Sequence, residues 1–116
     1  MNKFRFILAS LVIILLLDGC ELFTTSIEYH VTGPSSSISV LYMDRGGRLE
    51  EVEAASPWSD SLTIVNGDRP FMAYLRVTNS DVSSTGLTVY IDVDGTQERT
   101  ASVAYGATGE LYFIVE

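Results

Sequence analysis

Hydrophobic and polar residues alternate with a period of two along most of the chain after residue 26. This period is typical of β-strands that bury one face and expose the other. The most regular alternations place apolar residues at every second position of 71–77 and 87–93. The first predicted strand, at 27–32, has its odd-numbered residues on the apolar face and its even-numbered ones on the polar face. Further strands are predicted at 38–42, 49–52, 62–64, 99–105 and 111–115.

Turn-forming residues separate these strands. Turns are predicted at Gly33–Ser35, Asp44–Gly47 and Asn66–Pro70, and an interruption between strands at Ser56–Ser59. A polar connection is predicted at 79–86, and a two-residue hairpin turn at Asp94-Gly95. The spacing gives seven or eight strands at intervals of about 8 to 14 residues, with no convincing helix after the leader. The sequence therefore predicts an all-β fold, a small antiparallel immunoglobulin-like β-sandwich.

The first 19 residues have the composition of a secretory leader. Lys3 and Arg5 precede an apolar run over 6–17. That run is shorter than the roughly 20 residues that a membrane-spanning helix needs. A basic start, a short apolar core and a small residue before the cleavage position are typical of a signal peptide.

The end of this leader resembles the lipobox of bacterial lipoproteins. Leu17-Asp18-Gly19-Cys20 follows the apolar run, and Cys20 is the only cysteine. The resemblance implies cleavage before Cys20 and lipidation of its sulfur, and two or more acyl chains give stable anchoring. We expect a signal peptide at 1–19, a lipid-anchored tether at 20–25 and a domain at 26–116, facing outside the cytoplasm in the bacterial cell envelope. Because Asp18 is atypical, the alternative is an uncleaved signal anchor with Cys20 as an ordinary thiol.

The charge of the chain restricts its partners. Beyond residue 20 it has five arginines, no lysine and 14 acidic residues, a formal charge of −9. Recognition of nucleic acid needs clustered cations, so we expect no nucleic-acid partner. Glu50, Glu51 and Glu53 are interpreted as a solvated face that discourages edge-to-edge strand pairing.

The residue types needed for catalysis or metal binding are few. His30 is the only histidine, and no local signature of a catalytic triad accompanies it. One histidine and one cysteine are too few for a zinc site of soft ligands. At Asp92, Asp94 and Gly95 a simple turn is expected, and a calcium site is the alternative. The sequence thus predicts no catalytic residue, no cofactor or cofactor-binding residue and no metal ligand, and lipidation at Cys20 alone.

The aromatic residues have two interpretations. Trp58, the only tryptophan, is predicted to anchor the core or close one end of the sandwich, with exposed recognition as the alternative. Tyr74, Tyr90 and Tyr112 fall on the faces opposite the apolar stripes. We expect them to stabilise cross-strand pairs, with an aromatic surface patch as the alternative.

Four short motifs resemble the MmpS-type accessory domain of mycobacterial small membrane proteins and related envelope lipoproteins. They are Ile27-Glu28-Tyr29-His30-Val31-Thr32-Gly33, Ser39-Val40-Leu41-Tyr42-Met43-Asp44, Pro57-Trp58-Ser59 and Asp92-Val93-Asp94-Gly95. The resemblance implies a seven-stranded sandwich without catalytic residues that assists an export transporter. The chain departs from the family at Ser56, in lacking a C-terminal cysteine pair, and in its lipid anchor.

These observations favour a non-enzymatic, membrane-anchored envelope lipoprotein that acts as a protein-interaction or transport-accessory module. Its expected partners are the membrane, through Cys20, and another envelope protein such as an export transporter. The alternative is a ligand- or ion-binding lipoprotein that uses a sandwich pocket or surface carboxylates.

Overall fold

Six antiparallel strands make up most of the chain in this computed structural model, which describes residues 24–116. The predicted signal peptide and Cys20 lie outside the described residues. An all-β antiparallel fold is confirmed. The strands are β1 (Thr25–Met43), β2 (Leu49–Ile64), β3 (Phe71–Asn79), β4 (Leu87–Val93), β5 (Thr96–Val103) and β6 (Thr108–Val115), with a short 3₁₀ turn at Asn66–Asp68.

The β1–β2 hairpin is bent at its middle and belongs to both layers of the sandwich. The strand order is β5-β4-β1-β3-β6, and β2 pairs with the other edge of β1. The first half of β1, at 27–32, pairs with β4, whereas the second half, at 38–42, pairs with β3. Because β2 follows β1 through the bend, each layer contains one half of the hairpin.

The bend explains why the structure has six strands where seven or eight were predicted. Gly33–Ser35 was predicted as a turn and Ser56–Ser59 as a chain break, and both predictions are wrong, because strand pairing continues through them with two register shifts. Gly33 has a φ of 107°, and a Cβ there would lie 2.8 Å from the carbonyl oxygen of Gly86. The glycine, proline and serine residues at these two places therefore form a sharp bend within continuous strands, not the ends of strands.

The core lies between the two layers and follows the predicted alternation. The alternating residues 71, 73, 75 and 77 are buried, as are residues 87, 89 and 91 and Ile27, Tyr29 and Val31. The Tyr29 hydroxyl donates a hydrogen bond of 2.8 Å to the carbonyl oxygen of Met43. Burial raises the pKa of this phenol well above its usual range. Tyr29 thus links the two halves of β1 from inside the core.

The sandwich is nearly closed on its remaining side, where β5 and β6 approach each other. These strands stand at opposite ends of the strand order. The Arg99 guanidinium of β5 lies 5.0 Å from the ring centroid of Phe113 on β6, a cation–π distance. A side-chain contact therefore links the two layers at this seam.

A polar network closes the corner end of the sandwich. Asn79 is fully buried, and its Oδ1 accepts from the Ser35 hydroxyl at 2.9 Å while its Nδ2 donates to the Ser84 hydroxyl at 3.0 Å. The Asp81 carboxylate accepts backbone N–H bonds from Ser36 and Ser83, at 2.7 and 2.9 Å. These bonds hold the pKa of Asp81 far below its usual range. The network fixes the 80–86 connection against the bend of β1.

The opposite end of the sandwich is where the described chain begins. Thr25 pairs with Ile64 there, and Phe71 pairs with Val115. The Arg69 guanidinium donates to the Thr25 hydroxyl and, at 3.0 Å, to the carbonyl oxygen of Glu116. We call this the entry end. The predicted hairpin at Asp94-Gly95 is confirmed. It also lies at the entry end, because Asp94 Oδ1 accepts a hydrogen bond from the Ser26 N–H.

Candidate functional site

Three chemically versatile side chains converge on the outer face of one layer. The Nε2 atom of His30 lies 3.0 Å from Oε1 of Glu28 and 3.7 Å from Oδ2 of Asp92. One ligand-type atom from each residue falls within 4.8 Å of the others. Among residues 24–116, this is the one group of three such side chains that converges. We call it the Glu28–His30–Asp92 cluster.

Strand alternation and register together create the cluster. Glu28 and His30 are two residues apart on β1, so their side chains leave the same face. Glu28 is the register partner of Asp92 on β4, which brings the two carboxyl groups side by side. His30 lies on the outer, polar face of the first strand, as predicted. Its proximity to Asp92 was not predicted.

The imidazole of His30 stacks on the ring of Tyr90, its neighbour on β4. Tyr90 is the register partner of His30, and the two rings stack with centroids 4.6 Å apart and planes 14° apart. Tyr90 therefore forms a stacked cross-strand pair with His30, the arrangement expected for it. The stacked ring presents the edge bearing Nε2 to both carboxylates.

The cluster is partly desolvated but open to solutes. The exposed fractions of the Glu28, His30 and Asp92 side chains are 45%, 25% and 19%. A shallow groove of about 250 Å³ lies beside it, lined by Glu28 and His30 and, on β2, by Ser59–Ser61. Two chemical arrangements suit this geometry. One is a protonated imidazole shared by two carboxylates, and the other is a cation held by one nitrogen and two oxygens.

The calcium alternative at the β4–β5 hairpin is not favoured by the geometry. Asp94 Oδ1 accepts the backbone N–H of Ser26 at 2.8 Å, a bond that fixes the turn. Asp94 and Gly95 have φ values of 52° and 84°, as a two-residue hairpin requires. Asp92 instead lies with the His30 imidazole. The interpretation of Asp94-Gly95 as a simple turn agrees with these contacts.

The other predicted surface residues occupy separate places. Glu50, Glu51 and Glu53 are exposed on β2, which, among the strands of residues 24–116, pairs with β1 alone and so lies at an edge of the sheet. Trp58 is half-buried, packs against the core and lies 5.3 Å from the Tyr42 ring, centroid to centroid. This agrees with its predicted anchoring role.

A second surface feature is the outer face of β3 and β6. Met72 pairs with Ile114 and Tyr74 pairs with Tyr112. Met72, Ile114 and Tyr112 are 41%, 49% and 58% exposed. We call these four residues the β3–β6 face. Tyr74 and Tyr112 are cross-strand partners, as expected, and they also extend an exposed apolar surface, which was the alternative interpretation.

No family model matches the chain, and a search of curated proteins also found no match.

Proposed function

We propose that this chain is a non-enzymatic lipoprotein of the bacterial cell envelope, anchored through Cys20, whose sandwich acts as a protein-interaction or transport-accessory module. The anchor is supported by the lipobox-like Leu17-Asp18-Gly19-Cys20 directly after an apolar run. Within residues 24–116, no helix is long and apolar enough to cross a bilayer.

The single observation that carries the proposal is the apolar surface at the entry end. Val65 is 40% exposed there, directly after Ile64, the register partner of Thr25. Met72 and Ile114 form the pair next to Phe71–Val115. Only four residues separate Cys20 from Thr25. A lipid on Cys20 would hold these side chains close to the bilayer surface, where exposed apolar groups are stabilised.

The β3–β6 face supports an interaction role. It starts at the entry end with Met72 and Ile114 and continues away from it with Tyr74 and Tyr112. Tyrosine and methionine are enriched in protein interfaces, and lysine, which is depleted there, is absent from the whole domain. The MmpS-type resemblance suggests an export transporter as the partner. Such a partner, embedded in the same membrane, would meet this face beside the bilayer.

The geometry around His30 supports a non-enzymatic role over a triad hydrolase. In a triad, one imidazole nitrogen faces the orienting carboxylate and the other faces the nucleophile. Both carboxylates of the cluster lie at the same nitrogen, Nε2. The cluster therefore favours the second candidate function, ion binding by surface carboxylates, over acyl transfer.

The anchor is tested by the intact mass of the membrane-extracted protein, wild type beside Cys20→Ala. The expected mass starts at Cys20 and includes acyl chains, and the variant loses them. An unmodified full-length mass would overturn lipidation and leave the uncleaved signal anchor.

The orientation is tested with brominated lipids, which quench tryptophan fluorescence at short range. Trp58, the sole tryptophan, stands six positions along β2 from Ile64, about 20 Å from the entry end at the usual rise per residue. In the membrane-bound protein we expect quenching for Ile114→Trp placed in a Trp58→Phe background, and little for wild type. Equal quenching at both positions, or none at 114, would contradict an entry end that faces the bilayer.

A further inference from the structure

The geometry points to a binding site for a divalent transition-metal ion, formed by Glu28 Oε1, His30 Nε2 and Asp92 Oδ2. This inference does not depend on the membrane anchor or on a protein partner. It concerns the outer face of the β1–β4 layer, and it makes the second candidate function, ion binding, specific to one site and one class of metal.

The distances suit a shared metal ion after a small adjustment. Zinc binds imidazole nitrogen and carboxylate oxygen at about 2.1 Å, which separates neighbouring ligand atoms by about 3.0 to 3.4 Å. Nε2 lies 3.0 Å from Glu28 Oε1 and 3.7 Å from Asp92 Oδ2, and one ligand atom from each of the three residues lies within 4.8 Å of the others. The Asp92 oxygen would have to move by a few tenths of an ångström toward Nε2 to reach this range.

The backbone organises the three ligands in advance. Glu28 and His30 share the outward face of β1, and Asp92 is the register partner of Glu28. The Tyr90 ring fixes the plane of the imidazole by stacking 4.6 Å away. Ligands on paired strands are positioned more precisely than ligands on loops, so little conformational freedom is lost when an ion binds.

The electrostatics favour a cation. The cluster brings two carboxylates and one imidazole together on a chain with a formal net charge of −8. Asp92 and His30 are mostly shielded from water, which strengthens their interaction with a bound charge. A divalent ion would neutralise both carboxylates, whereas a protonated imidazole neutralises only one.

The donor set selects the class of metal. Imidazole suits zinc, cobalt, nickel and copper, while magnesium and calcium prefer oxygen ligands alone. Three protein ligands leave at least one coordination position for water or an outside donor. The neighbouring groove, lined by Ser59–Ser61 of β2, gives that position access to solutes.

The first test is calorimetric titration of Zn²⁺ into the full chain in detergent micelles, without a histidine tag. All proteins carry Cys20→Ser, which removes the competing thiol. We expect one saturable site, an affinity lowered by more than about 10-fold in His30→Gln and in Asp92→Asn, and no comparable site for Mg²⁺ or Ca²⁺. Glu53→Gln is the matched control, because it removes one exposed charge from β2 without touching the cluster, and it should bind as the parent does. Absence of a saturable site, or equal binding by His30→Gln, would overturn the inference.

The second test needs no variant in the cluster. Because His30 is the only histidine, its ring protons give one assignable set of proton NMR signals. Zn²⁺ should shift these signals until one equivalent has been added, and Mg²⁺ at the same concentration should not. Zinc binding without any change in the imidazole signals would mean that carboxylates elsewhere hold the ion, and that the cluster is an ion pair only.

Discussion

Replacing Asn79 with alanine should destabilise the protein more than any change at its exposed neighbours. Asn79 is fully buried at the end of β3. Its Oδ1 accepts hydrogen bonds from the Ser35 hydroxyl at 2.9 Å and from the Asp81 N–H at 3.3 Å, and its Nδ2 donates to the Ser84 hydroxyl at 3.0 Å. Alanine removes all three and leaves Ser35, which is also buried, with a poorer partner, the carbonyl oxygen of Ser37 at 3.2 Å.

The magnitude follows from these contacts. Each hydrogen bond contributes about 1 kcal/mol net, so the three together contribute about 3 kcal/mol. In a domain of this size, each kcal/mol lowers the melting temperature by about 4 to 8 °C, which gives a fall of roughly 12 to 24 °C. This is a large part of the total stability of a small domain.

The assay is thermal unfolding of the full chain in detergent, followed by the fluorescence of Trp58. Thr78→Ala is the control, because its hydroxyl makes a bond of 2.9 Å to Thr108 on the exposed face of the same strand. That variant should lose less than about 1 kcal/mol, since exposed polar groups exchange partners with water. If Asn79→Ala loses no more than Thr78→Ala does, water replaces the network and the reasoning is refuted.

Two further predictions concern the same corner. The pKa of Asp81 is depressed in the folded protein, so its carboxylate contributes to stability above the unfolded pKa of about 4, and that contribution is lost as the pH falls below this value. The thermal unfolding midpoint, measured between pH 6 and 2.5, should therefore fall less steeply in Asp81→Asn than in wild type. Parallel curves would contradict this. Gly33→Ala should lower the melting temperature more than Gly47→Ala. Both positions have positive φ, but only at Gly33 would the new Cβ meet backbone atoms, while nothing lies within 4 Å at Gly47. Equal decreases in melting temperature would show that the close approach of Gly33 to Gly86 relaxes without cost.

The strands that sequence alone predicts correctly are those with one buried face. At 71–77 and 87–93 every second residue is apolar, so a shift of one residue would expose the whole stripe, and the Asp94-Gly95 turn fixes the adjoining register. The errors fall at Gly33–Ser35 and Ser56–Ser59. Turn-forming residues there indicated chain reversal, yet β1 and β2 remain paired through the bend. Local residue preferences cannot distinguish a corner within a strand from the end of a strand.

The Glu28–His30–Asp92 cluster likewise could not be predicted from local sequence patterns alone. The period of two places Glu28 and His30 on one face, and the polar residues at the even-numbered positions predict that this face is exposed. Asp92 lies far along the chain, and only the pairing of β1 with β4 brings it beside Glu28. No spacing in the sequence encodes that pairing. Residue types alone therefore suggested calcium at Asp92, Asp94 and Gly95 and argued against zinc from one histidine and one cysteine, but they did not combine His30 with Glu28 and Asp92.

The shared β1–β2 hairpin has a consequence for how the domain opens. Sandwiches whose layers are separate sheets can lose one layer by parting along the core, but here the same two strands are hydrogen-bonded into both layers. Separation of the layers must either straighten the bend or break the hairpin. The domain should therefore open as a single foldon, and the slowly exchanging amides of both layers should share one free energy of opening.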